Sequence, residues 1–161
     1  MNIDIITGKI CDRQSIIGKV NEWKKQGRKI VFTNGVFDLL HKGHLFSLSQ
    51  AAKEGDKLII GLNSDSSVKR LKGESRPIND QDARAWLLAA LTMVDAVVIF
   101  EEDTPLNLIT SILPDVLVKG GDYTIDEIAG AKEVIANGGK IVINPILDGY
   151  STSAIIQAIS Q

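Results

Sequence analysis

The sequence is poor in the residues that build covalent or metal-rich sites, with one cysteine, two histidines and an aromatic content of 5% in 161 residues. The single thiol, Cys11, excludes a disulfide within the chain and a zinc site made of several cysteines. The start, Met1–Asp4, has neither the basic segment nor the long apolar stretch of a secretory leader. We therefore expect a protein of the reducing cytoplasm, without a membrane partner.

The sequence also lacks an excess of one charge. Its 18 basic and 20 acidic residues give a net charge of -2, and neither sign forms a long run. A broad electropositive face is therefore not expected, which argues against a nucleic-acid partner. Any phosphate site has to be local, made of a few basic side chains and backbone amides, and this favours a small phosphorylated ligand.

Apolar segments of strand length alternate with helical patterns along the chain. Residues 1–27 are predicted to form an N-terminal lead-in whose helix packs on the core, and residues 28–161 the main domain. The alternation predicts an α/β fold with a doubly wound, five-stranded parallel sheet flanked by helices. The predicted strands are 29–33, 57–62, 96–100, 116–118 and 140–146.

Polar clusters follow three of these strands, at residues 34–44, 63–65 and 119–122. In doubly wound sheets, ligands bind beyond the carboxyl ends of the strands. The three clusters are therefore expected to meet in one crevice.

The first cluster contains both histidines of the chain, His41 and His44, on either side of Gly43. The glycine allows close approach to a ligand, and the helix that follows offers free amides and a positive dipole end to phosphate. Transfer at phosphorus depends on positioning and charge neutralisation more than on a covalent nucleophile. The pair is therefore a candidate set of phosphate donors; the alternative is a surface turn whose histidines bond locally.

This His-Lys-Gly-His turn, after a strand that ends in Asn-Gly-Val-Phe-Asp, resembles the HxGH cytidylyltransferase-like nucleotidyltransferases, which share a Rossmann-like fold. Over residues 28–161, several further segments are similar to the adenylyltransferase branch that makes ADP-heptose, and Lys-Gly-Gly-Asp-Tyr at 119–123 is the most specific of them. The others are Asn63–Asp65, Lys69–Gly73, Ser75–Asn79 and Ser151–Ser153.

The resemblance implies transfer of AMP from ATP to D-glycero-β-D-manno-heptose 1-phosphate, a step of lipopolysaccharide precursor synthesis. It also implies Mg²⁺ as the cofactor. Many relatives carry a fused sugar kinase for which this chain is too short, so a separate kinase is expected.

Residue roles are assigned position by position on this resemblance. His41 and His44 are expected to stabilise the transition state, with Lys72 reaching phosphate from a glycine-flanked basic loop. The expected nucleotide-binding residues are Thr33, Asn34, Gly35, Phe37, Gly43, Lys119, Ser151, Thr152 and Ser153. The expected substrate-binding residues are Asn63, Asp65, Arg84, Gly120 and Asp122. Asp38 is interpreted as a loop brace or a water-mediated Mg²⁺ contact, and no metal ligand is assigned.

Other functions stay open at this point. The HxGH core alone does not choose the base, so cytidylyl transfer to a polyol phosphate such as glycerol 3-phosphate is an alternative, and so is a non-catalytic nucleotide-binding module. A dinucleotide oxidoreductase is disfavoured because no Gly-x-Gly-x-x-Gly follows the first strand. Trp86, Leu87, Leu88 and Leu91 are interpreted as core, with a homodimer interface as the alternative.

Overall fold

The computed structural model describes residues 3–161, which form a parallel sheet of six strands flanked by helices. Neighbouring strands follow the order β1-β4-β3-β2-β5-β6. The strands are β1 (Ile10–Cys11), β2 (Ile30–Gly35), β3 (Lys57–Asn63), β4 (Ala96–Phe100), β5 (Val116–Gly120) and β6 (Lys140–Asn144). The predicted parallel α/β fold is confirmed.

Helices connect these strands and cover both faces of the sheet. They are α1 (Ile3–Thr7), α2 (Arg13–Lys25), α3 (Lys42–Ala52), α4 (Asp65–Lys72), α5 (Gln81–Ala89), α6 (Leu106–Ile112), α7 (Ala131–Ala136) and α8 (Thr152–Ile159), with a 3₁₀ turn at Ile125–Glu127.

Alternation along the strands divides the core in two. In β2, Ile30 and Phe32 face a cluster that includes Ile16 of α2 and Leu108 of α6. Val31, between them, faces the opposite cluster with residues of α3 and α5. Because successive side chains of a strand point to opposite faces, a strand buried on both sides is a continuous apolar run.

The strand order reverses at β2, and this reversal positions the site. From β2 the chain moves to β3 and β4 on one side, whereas β5 and β6 lie on the other. Asn34 pairs with Gly61 of β3, while Phe32 pairs with Leu117 of β5. The carboxyl ends of β2 and β5 therefore flank the switch point at which doubly wound sheets bind ligands.

Three elements differ from the sequence prediction. The sheet has a sixth strand, β1, which pairs with β4 at the edge through only two residues. The helix predicted at 125–137 is divided at Gly130, the N-cap residue of α7. Gly130 has a φ of +82°, and because it has no Cβ it leaves room for the side chain of Ile109. The predicted basic loop that holds Lys72 is wrong, because Lys72 ends helix α4 and Gly73 caps it with a φ of +99°.

The N-terminal segment contributes strand β1 to the sheet and helix α2 to the layer that packs on it. The domain boundary at residue 27 stays a prediction. Met1 and Asn2, on which the leader argument partly depended, lie outside the described residues. In α5, Leu88 is buried as predicted, but Leu87 is 46% exposed. Across residues 3–161, none of the helices has both the length and the apolar character that crossing a bilayer requires.

Candidate active site

Two helix N-termini meet beyond the carboxyl end of β2. His41 is the N-cap of α3, and Ser151 is the N-cap of α8, where its Oγ accepts a hydrogen bond from the backbone N–H of Ala154 at 3.0 Å. The first amides of a helix have no acceptor within it, and its N-terminal end carries partial positive charge. The two ends therefore create a local field that favours an anion.

Both N-termini border one cleft of about 390 Å³, which we call the histidine cleft. Its lining includes Phe37, Asp38, His41, Gly43, His44, Lys72, Arg76, Tyr150, Ser151, Thr152 and Ser153. The structure thus brings together all three predicted catalytic side chains and the predicted Ser-Thr-Ser segment.

The backbone fixes which nitrogen of each imidazole carries the proton. The N–H of Gly43 donates to Nδ1 of His41 at 3.1 Å, and the N–H of His41 donates to Nδ1 of His44 at 3.4 Å. A nitrogen that accepts a hydrogen bond carries no proton, so each neutral ring is protonated at Nε2. The rings stack with centroids 3.9 Å apart, and both residues line the histidine cleft.

Burial keeps these donors uncharged. Burial lowers the pKa of His41. The pKa of His44 is lowered to about 4, mainly by burial and to a lesser extent by the nearby His41 ring, while a hydrogen bond with the backbone of Leu39 acts in the opposite direction. His44 is therefore neutral at neutral pH. The pair is suited to hydrogen bonding with phosphoryl oxygens rather than to accepting a proton.

Gly43 is required by the packing of this turn. A Cβ built at Gly43 would lie 2.9 Å from Cε1 of His41 and 3.0 Å from Cβ of Tyr150. The ring of Tyr150 also stacks on His41, with centroids 6.4 Å apart. Sequence reasoning missed Tyr150, although its place directly before the Ser151 cap was a usable signal.

Asp38 braces the loop on the far side of the cleft. Its carboxylate is 1% exposed and accepts from Nε of Arg76 at 2.6 Å and from the backbone N–H groups of Ile78 and Asn79. Burial alone would raise the pKa of Asp38, but these hydrogen bonds and the Arg76 charge outweigh it and hold the pKa below its ordinary value. Of its two proposed roles, the geometry supports the brace.

The residues near the histidines do not form a metal cage. Both oxygens of Asp38 are occupied by the donors described above. Within the described part of the chain, no group of three or more histidine, cysteine, aspartate or glutamate side chains is arranged to hold a metal ion. A magnesium ion held by protein carboxylates does not fit this site.

The side chain of Arg84 does not face a cleft, contrary to its predicted role in substrate binding. The Arg84 side chain is fully buried, and its Nη2 donates to Asp65 at 2.7 Å. Its Nε and Nη1 groups bond the backbone carbonyls of Asn79, Val36 and Asn63. Because the guanidinium is fully buried and bonds protein acceptors through all three of its nitrogens, Arg84 fixes the loops around the site and is not placed to contact a substrate. The side chain of Asp65 is 34% exposed, and its role in substrate binding stays a prediction.

A second cleft of about 450 Å³, the lysine cleft, lies beside the first. Lys119 borders this cleft rather than the histidine cleft, with its Nζ 5.2 Å from the ring centroid of Tyr123. Burial lowers the pKa of Lys119. Lys72 borders both clefts and so connects them. The wall of the lysine cleft includes Asn34, Gly35, Asn63, Lys72, Lys119 and Tyr123.

Between the two clefts lies a recess of about 220 Å³ at the ends of β2, β5 and β6, the strand-end recess. Phe37 lines the recess and has a left-handed backbone conformation, with a φ of +47°. Its ring covers Gly35, where a Cβ would lie 2.8 Å from Cε2 of Phe37. Asp122 lines none of these three spaces; it lies in a neighbouring depression with Asn144, Ile146 and Asp148. The recess is lined by residues that include Thr33, Asn34, Gly35, Phe37, His44, Gly120 and Asn144.

The sheet is doubly wound, and two imidazoles and two helix N-termini lie at its switch point. This arrangement is typical of a protein that binds the phosphates of a nucleotide. The model of the cytidylyltransferase-like family matches residues 32–158, and the chain belongs to this family. The predicted resemblance is confirmed, while the roles of single residues stay predictions.

Two relatives are the proteins called bifunctional protein HldE from Hyphomonas neptunium, 57% identical over 142 residues, and from Shigella flexneri serotype 5b, 59% identical over 138 residues. These matches cover 88% and 86% of this chain but 29% of each relative, so the chain spans less than a third of their length. The solved lipopolysaccharide core biosynthesis protein of Thermoplasma volcanium is 30% identical, with a TM-score of 0.62 over 78% of this chain and 100% of that one.

Proposed function

We propose that this protein transfers AMP from ATP to D-glycero-β-D-manno-heptose 1-phosphate, giving ADP-heptose and pyrophosphate. The observation that carries the proposal is the stacked pair of neutral imidazoles of His41 and His44, which line the cleft bordered by the N-terminus of α8. The HldE relatives and the lipopolysaccharide core biosynthesis protein support the choice of the sugar.

ATP would occupy the histidine cleft. Its α-phosphate would accept hydrogen bonds from His41 and His44, and its β- and γ-phosphates would lie against the first amides and the hydroxyls of Ser151–Ser153. Helix N-termini are suited to phosphate because their amides are unpaired and their dipole end is positive. The negative charge that leaves with pyrophosphate would thus be held by α8.

The sugar phosphate would occupy the lysine cleft, next to the first. Lys119 is half-buried there and forms no ion pair with a carboxylate among residues 3–161, so an incoming phosphate would supply its missing counter-charge. Lys72, which borders both clefts, would hold the attacking phosphate against the triphosphate. Asn63 offers an amide oxygen to sugar hydroxyls, since its Nδ2 already donates to Ser67.

The reaction needs no general base, because a phosphate oxygen of the sugar is already anionic. That oxygen would attack the α-phosphorus, a new P–O bond would form, and the bond from the α-phosphorus to the bridging oxygen of the β-phosphate would break as pyrophosphate leaves. Catalysis would then consist of alignment and of donors aimed at the transferring group. The neutral imidazoles of His41 and His44 suit that role.

Mg²⁺, the expected cofactor, would arrive with the triphosphate, since Asp38 has no free oxygen to hold it. Mg²⁺ commonly takes most of its shell from water and phosphates. The sugar 1-phosphate would be made by a separate sugar kinase. The cytoplasmic location and the homodimer also stay predictions.

A substrate panel tests this proposal. The purified protein is incubated with Mg²⁺, each of ATP, CTP and GTP, and each of heptose 1-phosphate, heptose 7-phosphate and glycerol 3-phosphate, and pyrophosphate release and sugar-nucleotide formation are measured. We expect the highest turnover with ATP and heptose 1-phosphate. Preference for CTP with glycerol 3-phosphate would instead establish cytidylyl transfer, and nucleotide binding without product would indicate a non-catalytic module.

A further inference from the structure

Asn144, at the end of β6, has an amide that the fold leaves unbonded. Its Nδ2 is the one buried side-chain nitrogen or oxygen without a hydrogen-bond partner that the structure records among residues 3–161. The residue is 7% exposed. Buried polar groups are nearly always bonded, and an unpaired buried donor costs free energy, so such a group in a native protein indicates a partner that the chain does not supply, a water or a ligand.

The position of Asn144 restricts what that partner is. It pairs with Gly120 of β5 and lines the strand-end recess together with His44. It also lines the neighbouring depression with Pro145 and Ile146. Because His44 also lines the recess, a nucleotide whose α-phosphate contacted His44 and whose other phosphates extended toward α8 would have room for its base there. Asn144 borders both of them.

The recess suits a flat ring. Gly120 presents backbone without a side chain, while Phe37, Leu48 and Val118 supply apolar walls. The nearest atom to a Cβ built at Gly120 would be Oγ of Ser47, 3.9 Å away, so the glycine leaves open space rather than packing against the fold. An apolar slot with one unpaired amide is the usual composition of a small-ligand site.

We propose that Asn144 reads the nucleobase of ATP, with its Nδ2 donating to a ring nitrogen of adenine and its Oδ1 accepting from the exocyclic amine. The inference rests on the proposed function in taking the nucleotide to be ATP. Adenine carries an acceptor nitrogen beside its amine on two edges, and an asparagine amide pairs with such an edge through two hydrogen bonds. On its N7 edge guanine presents two acceptors, N7 and O6, and the single amide donor leaves one of them facing Oδ1, so on that edge the contact favours ATP over GTP.

Nucleotide binding in the absence of any sugar phosphate tests this role. Calorimetry compares the Kd values of ATP, 1-deaza-ATP, 3-deaza-ATP and 7-deaza-ATP, each of which lacks one ring acceptor, for the wild-type protein and for Asn144→Ala. We expect one analogue to bind the wild type about tenfold more weakly than ATP, the effect of one lost hydrogen bond. In Asn144→Ala, ATP itself should bind about tenfold more weakly, and that analogue should no longer differ from it.

Two further variants keep the test clear. Asn137→Ala removes an exposed asparagine at the end of α7 and should bind all four nucleotides as the wild type does. Asn144→Asp keeps the size of the side chain and replaces the donor, so it gives the same readout if Asn144→Ala does not fold. Equal binding of all analogues to the wild type, or an analogue penalty that persists without the amide, would overturn the inference.

The outcome is separable from that of the substrate panel. A protein that forms no sugar nucleotide but shows the penalty dependent on Asn144 refutes the proposed transfer and keeps the base contact. A protein that forms ADP-heptose but binds every analogue equally keeps the transfer and refutes the contact. Failure to bind any nucleotide refutes both.

Discussion

The two sides of the crevice differ in how far the fold has already satisfied their polar groups. On the side of β2 and α3, Nδ1 of His41, Nδ1 of His44 and the carboxylate of Asp38 all hold hydrogen bonds within the protein. On the side of β5 and β6, Lys119 lies over the ring of Tyr123 without an ion pair, and the amide nitrogen of Asn144 has no hydrogen-bond partner, among the described residues. The bonded side is fixed before a ligand arrives, whereas the open side still has bonds to make.

This difference assigns separate tasks to the two sides. Donors whose geometry is set in advance stabilise a transition state without reorganisation. Groups that lack a partner gain most from a ligand that supplies one, and they discriminate against ligands that do not. We therefore expect the side of α3 to determine the type of reaction and the side of β5 to determine which nucleotide and which acceptor react.

The largest effect on stability is expected at Arg84, which holds the bonded side together. Arg84→Met removes a fully buried guanidinium and leaves Asp65 and three backbone carbonyls without their donor. A buried acceptor left without its donor costs about 1–3 kcal/mol, and with three carbonyls affected we expect Arg84→Met to lower the free energy of unfolding by about 3–5 kcal/mol. Urea denaturation measures the loss.

Arg70→Met is the matched control, because Arg70 pairs with Asp103 at the surface. An exposed pair contributes about 0–1 kcal/mol. Equal losses in the two variants would contradict the structural role that we assign to Arg84.

The largest effect on activity is expected at the two histidines. Alanine at His41 or at His44 removes one donor to the α-phosphate and should lower kcat by about 10²- to 10³-fold, as for other preorganised donors. Steady-state pyrophosphate release measures kcat, and thermal unfolding shows whether the variant is folded. Lys53→Ala, at the exposed end of the same helix, is the control. Near-normal kcat in both histidine variants would refute the mechanism.

Lys119 lies on the open side, where a substitution should change activity without lowering stability, in contrast to Arg84 on the bonded side. Lys119→Met removes a cation whose pKa is lowered by burial, so the variant should unfold no more easily than the wild type. Its KM for the sugar phosphate should rise about tenfold, equivalent to about 1.4 kcal/mol.

Lys132→Met, on the exposed face of α7, should leave that KM unchanged. If Lys119→Met raised the KM for ATP and not that for the sugar phosphate, Lys119 would belong to the nucleotide, as predicted from the sequence.

A smaller effect is expected from pH. The pKa of His44 is about 4 in the folded protein and about 6.5 when unperturbed. Between these values the unfolded chain binds more protons at His44 than the folded protein does. The contribution of His44 to the free energy of unfolding is therefore fully present above pH about 6.5 and is lost as the pH drops toward 4. Because His44 is partly exposed, we expect its share of the loss to be about 1 kcal/mol.

Denaturation of the wild type and of His44→Gln at pH 7 and pH 4.5 measures this share. The variant should lose less stability than the wild type over that range. An identical loss in both would show that His44 is not the group responsible.

Much of the fold could be predicted from the sequence because the central strands are continuous apolar runs, as β2 and β3 illustrate. The edge strand β1 escaped prediction since two residues carry no periodicity, and α4 escaped because its composition is polar and its start depends on a cap at Ser64. The position of the crevice could be predicted because the polar clusters directly follow predicted strands, whose carboxyl ends lie at one edge of the sheet. Each of these signals is local in the sequence.

The parts of the site that could not be predicted depend on long-range packing. Arginine is usually exposed, and nothing near Arg84 in the sequence indicates that its acceptors come from three separate segments. Asn144 ends an ordinary strand without a motif, and its lack of a partner appears only once its neighbours are in place. Likewise, Tyr150 reaches His41 only because α8 returns to the start of α3.

The most direct test of the central claim is to follow the phosphorus that is transferred. The protein is incubated with heptose 1-phosphate and ATP that carries radioactive phosphorus at the α-position in one reaction and at the γ-position in the other. Nucleotidyl transfer predicts that the sugar product carries the α-label and that the γ-label appears only in pyrophosphate. Label from the γ-position in the sugar product, with ADP as the second product, would contradict the account.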